Sequence, residues 1–197
     1  VYTRLSRRLR ALGLSSFTEY MNLLDGAGAG AEKTEFCNAV TTNLTSFFRE
    51  SHHFDHLRDE VLAPLAKREA SRIRIWSAGC STGEEPYSIA MTAKTMGRPL
   101  ASSDLRILAT DLDTNVLARA SSGVYPEARA ADVPPDLRSG AIARRAGGEV
   151  EITPAVKGLI TFRQLNLLHP WPFRGPFDAI FCRNVLIYFD QATKSDI

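Results

Sequence analysis

Residues 75–85, IWSAGCSTGEE, begin as a short apolar strand, break into glycine and small polar residues, and lead into a helix that Pro86 begins and that contains Ile89, Ala90 and Met91. A strand that ends this way brings backbone N–H groups and close main-chain approach to one point, which suits a flat or anionic ligand. Gly79 and Gly83 remove the side chains that would obstruct that point. The next apolar strand, LRILAT, ends at Asp111. A carboxylate in that place can accept hydrogen bonds from both hydroxyls of a ribose, as in nucleoside-binding α/β sheets. A structural turn followed by a helix-capping aspartate accounts for the same residues, and both readings stay open at this level.

Three other groupings invite chemistry. Gly79 to Gly83 also satisfy G-x-S-x-G, the nucleophile elbow of serine hydrolases. That elbow normally follows several earlier strands, whereas here it follows the first, and His169 in LHPWP has no evident acid to orient it. The topology therefore argues against an esterase. His52, His53, Asp55 and His56 suggest a metal, yet they begin a helix and lack a well-spaced second ligand group, so capping or interface roles are expected and no metal site is assigned. Arg4, Arg7, Arg8 and Arg10 crowd one amphipathic helix. A solvated face is the commoner fate of such a run, and the lack of interleaved aromatics argues against nucleic acid.

The elements that must position these residues change character along the chain. Residues 1–68 read as a helical domain ending in the hydrophilic linker KREASR, with Leu5, Leu9 and Leu12 on one stripe and Ser15 or Ser16 capping a second helix. Residues 69–197 alternate strand and helix, which is the grammar of a parallel sheet. An insert at about 124–165 interrupts them. Its prolines break helices, and VEIT and LITFRQL read as strands of a small antiparallel subdomain. Ala179 to Cys182 read as a fully buried strand of the resumed sheet. The fold class is thus α/β with a parallel sheet, behind a small all-helical domain.

Composition narrows the function classes. Of 197 residues, 44% are hydrophobic and 23% charged, and 24 basic against 22 acidic side chains leave a net charge of +2, which suits a soluble globular protein. No apolar run is long enough for a membrane span. Cys37, Cys80 and Cys182 are few and scattered, as expected of a cytoplasmic chain rather than a disulfide framework. The sequence opens at Val1 inside an amphipathic pattern and stops at Ile197 as QATKSDI begins a helix, so continuation is expected on both sides.

Taken in order, TTNLTSFFRE, HHF, IWSAGCSTGEEPYS, ATDLDTNVLARA, NLL and FDAIFCRNVLIYF resemble the bacterial chemotaxis-receptor methyltransferases of the CheR type, over nearly the whole chain. The resemblance implies that the parallel sheet is Rossmann-like, and it implies transfer of a methyl group from S-adenosylmethionine to glutamate side chains on chemoreceptor helices, leaving S-adenosylhomocysteine and a methyl ester. It implies that Asn43, Thr45, Arg49, Ala78 and Glu84 contact the cofactor or shape its pocket, that Asp111 is the ribose acid, and that Asn166 and Leu167 lie at the adenine. Cys182 and Arg183 open the segment that places Tyr188 near the reacting methyl, with Arg49 and Tyr188 as the catalytic pair. The arginines of the first helix are then the receptor-docking face. Some family members bind a receptor-tail pentapeptide through a glycine-rich hairpin of the insert. The shorter ARRAGGEVEI here implies weak or absent tethering. A cofactor-binding module without turnover is the alternative to an active enzyme.

Overall fold

The computed structural model describes residues 2–97, 100 and 102–197. Its first three helices, α1 (Tyr2–Leu12), α2 (Phe17–Asp25) and α3 (Gly30–Val40), enclose a small core of Leu9, Tyr20 and Leu24, flanked by Leu5, Leu12 and Phe36. Ser16 caps α2 by accepting from the Glu19 N–H, and the Glu19 carboxylate reaches back to the Ser15 N–H, a variant of the capping box. Arg8 grips Glu32 of α3 through two hydrogen bonds of 2.7 and 2.5 Å, and the Tyr20 hydroxyl donates to the same carboxylate at 2.7 Å. So small an apolar core leaves this polar triad a large share in holding the three helices together.

An extended strap, residues 41–51, leads from α3 to a second helical stretch made of α4 (His52–His56), a π-helical turn at Leu57–Leu62 and α5 (Ala63–Lys67). The widened turn lies just ahead of Pro64, whose ring would meet the carbonyl four residues back in a regular α-helix. Phe54, Leu57, Leu62 and Leu65 from this stretch pack in the large core with Ile73 and Ile89. The expected boundary near residue 68 groups these helices with α1–α3, whereas their burial groups them with the sheet.

The main sheet is formed by β1 (Arg72–Ala78), β2 (Asp104–Asp111), β6 (Ile160–Gln164) and β7 (Ala179–Phe181), all parallel, in the order β6-β2-β1-β7. Between β1 and β2 runs α6 (Glu84–Thr95), buried nearly all round, in which Ser88 and Thr92 satisfy their hydroxyls on the carbonyls of Glu84 and Ser88. After β2 come α7 (Thr114–Ser122) and the insert: β3 (Val124–Pro126), a 3-10 turn (Glu127–Asp132), α8 (Pro135–Arg138), β4 (Ile142–Arg145), β5 (Glu149–Ile152) and α9 (Pro154–Lys157). Its antiparallel sheet has the order β3-β5-β4. The chain ends with a 3-10 turn at Leu186–Tyr188 and α10 (Gln191–Asp196), which Asp190 caps.

Two strand expectations are corrected. LITFRQL is not part of the antiparallel insert, because β6 pairs in parallel with β2, Ile107 opposite Ile160. A short apolar run carries no mark of its partner, which the path of the chain decides. Nor is β7 fully buried among the described residues: it is the outermost of their four parallel strands, and Ile180 is 55% exposed.

Glu32 is held below its ordinary value of 4.5, chiefly by the Arg8 hydrogen bonds. The stability this pair confers is therefore complete above that ordinary value and is lost as the pH falls through the depressed one. Arg8→Ala should cost roughly 1–2 kcal/mol at neutral pH. In calorimetric melts, its deficit against wild type should shrink below about pH 4.5.

Candidate active site

The chain runs from β1 outward through β2 to β6 and then returns to β7 on the other side of β1, so the strand order reverses at β1. A parallel sheet binds ligands in the crevice beyond the strand ends at such a reversal. A cavity of about 410 Å³ lies there, within the usual range for a small-molecule site. Gly79 and Ser81 line it after β1, Thr110 to Leu112 at the end of β2, Leu165 to Leu167 after β6, and Arg183 to Val185 after β7. The strap forms the remaining wall with Val40 to Ser46 and Arg49.

The glycine loop is a closed wall rather than an anion cradle. Gly79 and Cys80 donate their N–H groups to the Thr110 carbonyl, Ser81 donates to the Asp111 carboxylate at 2.8 Å, and Gly83 donates to the Cys80 carbonyl. Of the N–H groups that the sequence brings to this point, those of Gly79, Cys80, Ser81 and Gly83 are thus engaged within the fold. Gly79 has φ +76°, and a Cβ there would overlap Val185 Cγ2, so close approach between the β1 and β7 loops requires glycine. Ser81 is left-handed too, at φ +50°, but its hydroxyl donates to the Asn43 carbonyl at 3.0 Å, and His169 Nε2 is near Asn166 instead. These contacts supply no nucleophile and base pair for an esterase.

The charges at the cavity are buried and mutually arranged. Asp111 accepts from the Ser81 and Asp113 N–H groups, one on each oxygen; burial pushes its carboxyl up while those donors oppose the shift. Glu85 lines the cavity, and burial raises its carboxyl against the pull of the Ser77 hydroxyl at 2.8 Å and of Arg183 at 3.1 Å. Arg183 also donates to the Arg49 carbonyl and pairs with Glu50, whose carboxyl it lowers. The result is a set of charged groups of fixed geometry in an enclosure otherwise lined by threonine, asparagine and apolar side chains. Burial raises the Cys80 thiol well above its ordinary range, which leaves it a small apolar residue.

Comparison with known proteins identifies the ligand class. Residues 1–41 match the family described as CheR methyltransferase, all-alpha domain, and residues 43–197 match CheR methyltransferase, SAM binding domain. Over its full length the chain is 46% identical to the probable chemotaxis protein methyltransferase of Rhizobium etli, covering 75% of that protein. It is equally similar, at 46% over its full length, to the chemotaxis protein methyltransferase of Escherichia coli, covering 68%. Chemotaxis protein methyltransferase 2 of Pseudomonas aeruginosa is 48% identical over 99% of the chain, which covers 69% of it. The chain belongs to the CheR methyltransferase family. It is a methyltransferase that uses S-adenosylmethionine, and the α/β part is its cofactor-binding domain.

Within that CheR fold, the structure gathers Asn43, Thr45, Arg49, Asp111, Asn166, Leu167, Arg183 and Tyr188 around one cavity. Ala78, Glu84 and Cys182 lie outside its lining. Ala78 closes β1, and Cys182 is half-buried behind the β7 loop. Glu84, 1% exposed, accepts from the Thr82 hydroxyl at 2.6 Å. Its neighbour Glu85 faces the cavity, a choice within the Glu-Glu pair that only the helix phase makes. Sequence reasoning also passed over Leu44, Leu112 and Val185, which carry no signal beyond being apolar, and Asn184, whose left-handed φ of +56° fits asparagine. Among the arginines of α1, Arg4 donates to the Thr41 carbonyl and lines a neighbouring groove with Arg7. Arg8 is engaged by Glu32, and Arg10 reaches back to the Ser6 carbonyl, so α1 presents a smaller basic face than its composition promises.

Gly79→Ala should destabilise the protein by about 2–4 kcal/mol in urea melts, combining the left-handed penalty with the Val185 overlap. Val185→Ala in the same chain should restore the packing part and leave about 1–2 kcal/mol of backbone cost.

Proposed function

We propose that this enzyme methylates glutamate side chains on the cytoplasmic helices of chemoreceptors, giving glutamate methyl esters and S-adenosylhomocysteine. The observation that carries the reading is continuity. The groove of about 560 Å³ beside Arg4 and Arg7 shares residues Thr41 to Leu44 with the 410 Å³ cavity. An acidic helix resting on those arginines would have its carboxylates beside the cavity mouth. The basic helix and the cofactor pocket thus serve one substrate, and the reaction takes place in the cytoplasm, where receptor signalling helices lie. Among the described residues no helix is long and apolar enough to cross a membrane.

The cavity residues fit the cofactor. Asp111, at the end of β2, is the ribose acceptor, with its outward lone pairs left by the two N–H donors. Asn166 and Leu167 take the adenine, Asn43 and Thr45 shape the wall contributed by the strap, and Glu85 with Arg183 receives the charged amino-acid end. When bound, S-adenosylmethionine supplies a methyl group on a sulfonium, a strong electrophile. A glutamate carboxylate is already ionised near neutral pH, so the residues of this chain need remove no proton. Their task is alignment and exclusion of water. Arg49 is anchored by donating to the Leu44 carbonyl at 2.9 Å, and from the cavity wall it orients the incoming carboxylate. Tyr188, 62% exposed at the mouth, closes over the reacting atoms.

The hairpin of the insert is closed by residues 146–148 alone, with Gly147 and Gly148 both left-handed, and this short loop supports the reading that tethering to a receptor tail is weak or absent. Isothermal titration should show binding of S-adenosylmethionine and S-adenosylhomocysteine, and tritiated methyl groups should pass to receptor cytoplasmic fragments as base-labile esters. Asp111→Ala should weaken cofactor binding at least about tenfold. Arg7→Ala should raise KM for the receptor fragment and leave cofactor affinity unchanged. Cofactor binding without transfer to any receptor fragment would refute the substrate, and unchanged affinity in Asp111→Ala would remove the ribose assignment and with it the cavity as the cofactor site.

A further inference from the structure

We propose that Arg129, from the 3-10 turn of the insert, is a positioning residue for the cofactor pocket, holding the strap and the amino end of α6 in register with each other. The proposal rests on reading the cavity as the cofactor site. The strap has no regular secondary structure, and it carries two non-glycine residues in the left-handed region, Phe48 at φ +52° and Glu50 at +55°. Such a segment keeps one conformation only where its surroundings over-determine it. At one end Asp113 holds it by accepting from Thr41 at 2.8 Å and Asn43 at 2.7 Å, while at the other the Phe48 N–H donates to Ser88 at 3.0 Å. Between those anchors, the Thr45 carbonyl accepts from the Arg129 guanidinium at 2.8 Å.

The same guanidinium lies 3.3 Å from Glu84 Oε1. That oxygen is buried and, among the described residues, makes no well-aligned hydrogen bond, so Arg129 is the counter-charge beside it. Glu84 in turn accepts from Thr82 of the glycine loop. A second contact supports the arrangement independently. Tyr125 of β3 packs edge-on against Phe47 of the strap with centroids 5.0 Å apart, and its hydroxyl donates to the Thr82 carbonyl at 2.6 Å. The insert therefore grips both cavity walls at two points while Arg129 stays out of the cavity lining. Both contacts use one guanidinium nitrogen, whose two N–H bonds can address a carbonyl and a carboxylate together.

The test uses the whole chain and compares Arg129→Met, Arg129→Lys, Arg144→Met and Asp111→Ala by titration with S-adenosylmethionine, by steady-state methyl transfer, and by amide hydrogen exchange of residues 44–47. Arg144 is the control: it lies in the same insert, 87% exposed, and its ion pair is with Glu127 of the turn rather than with the strap or α6. Arg129→Met should raise Kd and KM for S-adenosylmethionine about tenfold while kcat at saturation stays within about twofold. Arg129→Lys should fall between Arg129→Met and wild type, with faster exchange confined to the strap, and Arg144→Met should match wild type. Wild-type affinity in Arg129→Met, or an equal loss in Arg144→Met, overturns the proposal. Should Arg129→Met fail to fold, Arg129→Lys decides, since wild-type affinity with unchanged strap exchange also overturns it. Affinity lost in Asp111→Ala but kept in Arg129→Met refutes Arg129 alone, whereas affinity kept in Asp111→Ala refutes the cavity as the cofactor site.

Discussion

Asp111 and Asp113, two residues apart at the carboxyl end of β2, accept hydrogen bonds from the glycine loop, from the strap and from the first turn of α7, and these bonds help join the three segments into one cavity wall. Asp111 receives the Ser81 and Asp113 N–H groups. Asp113 receives the side chains of Thr41 and Asn43 on one oxygen and caps α7 through the Asn115 and Val116 N–H groups on the other. An ionised carboxylate suits this place because it accepts several donors at once, and such bonds are stronger than neutral ones. Asp113 is 3% exposed, so its two oxygens are satisfied almost wholly by protein.

That junction also explains how a small helical unit becomes part of an enzyme. The core of α1–α3 is separate from the large one, yet Asn38 exchanges two hydrogen bonds with Thr114, and the strap leaves α3 directly across the strand tips. The family description divides the chain between residues 41 and 43, within the stretch that Asp113 holds. The groove beside Arg4 and Arg7 of α1 is thereby joined to the cavity through Thr41 to Leu44.

Buried ion pairs set the far side of the cavity. Arg183 and Glu85, each 12% exposed in the side chain, join the β7 loop to α6, and Arg183 reaches onward to Glu50 of the strap. Removing either partner would leave an uncompensated buried charge, so this network resists rearrangement even though its net contribution to stability is modest. Trp76 of β1 donates to Thr110 and stands edge-on to Trp171 and Phe173, which packs the segment after β6 against the sheet.

The sequence by itself determined the strand-to-helix loop at Gly79, the carboxylate closing β2, the helical nature of residues 2–12 and 17–25, and the family, because these depend on local preferences, on residue type and on motifs with a set spacing. It did not determine that LITFRQL joins the main sheet, since a short apolar run pairs equally well in either sheet until the crossover places it. It did not show that Arg8 is claimed by Glu32, or that Glu85 rather than Glu84 faces the cavity, because partners distant in the chain and the rotation of α6 on the sheet decide where a charge points. Least legible was Arg129, an arginine in a loop segment without motif or periodicity. Only the folding of the insert against the strap brings it to Thr45 and Glu84, as a separation of 84 residues along the chain becomes a single hydrogen bond.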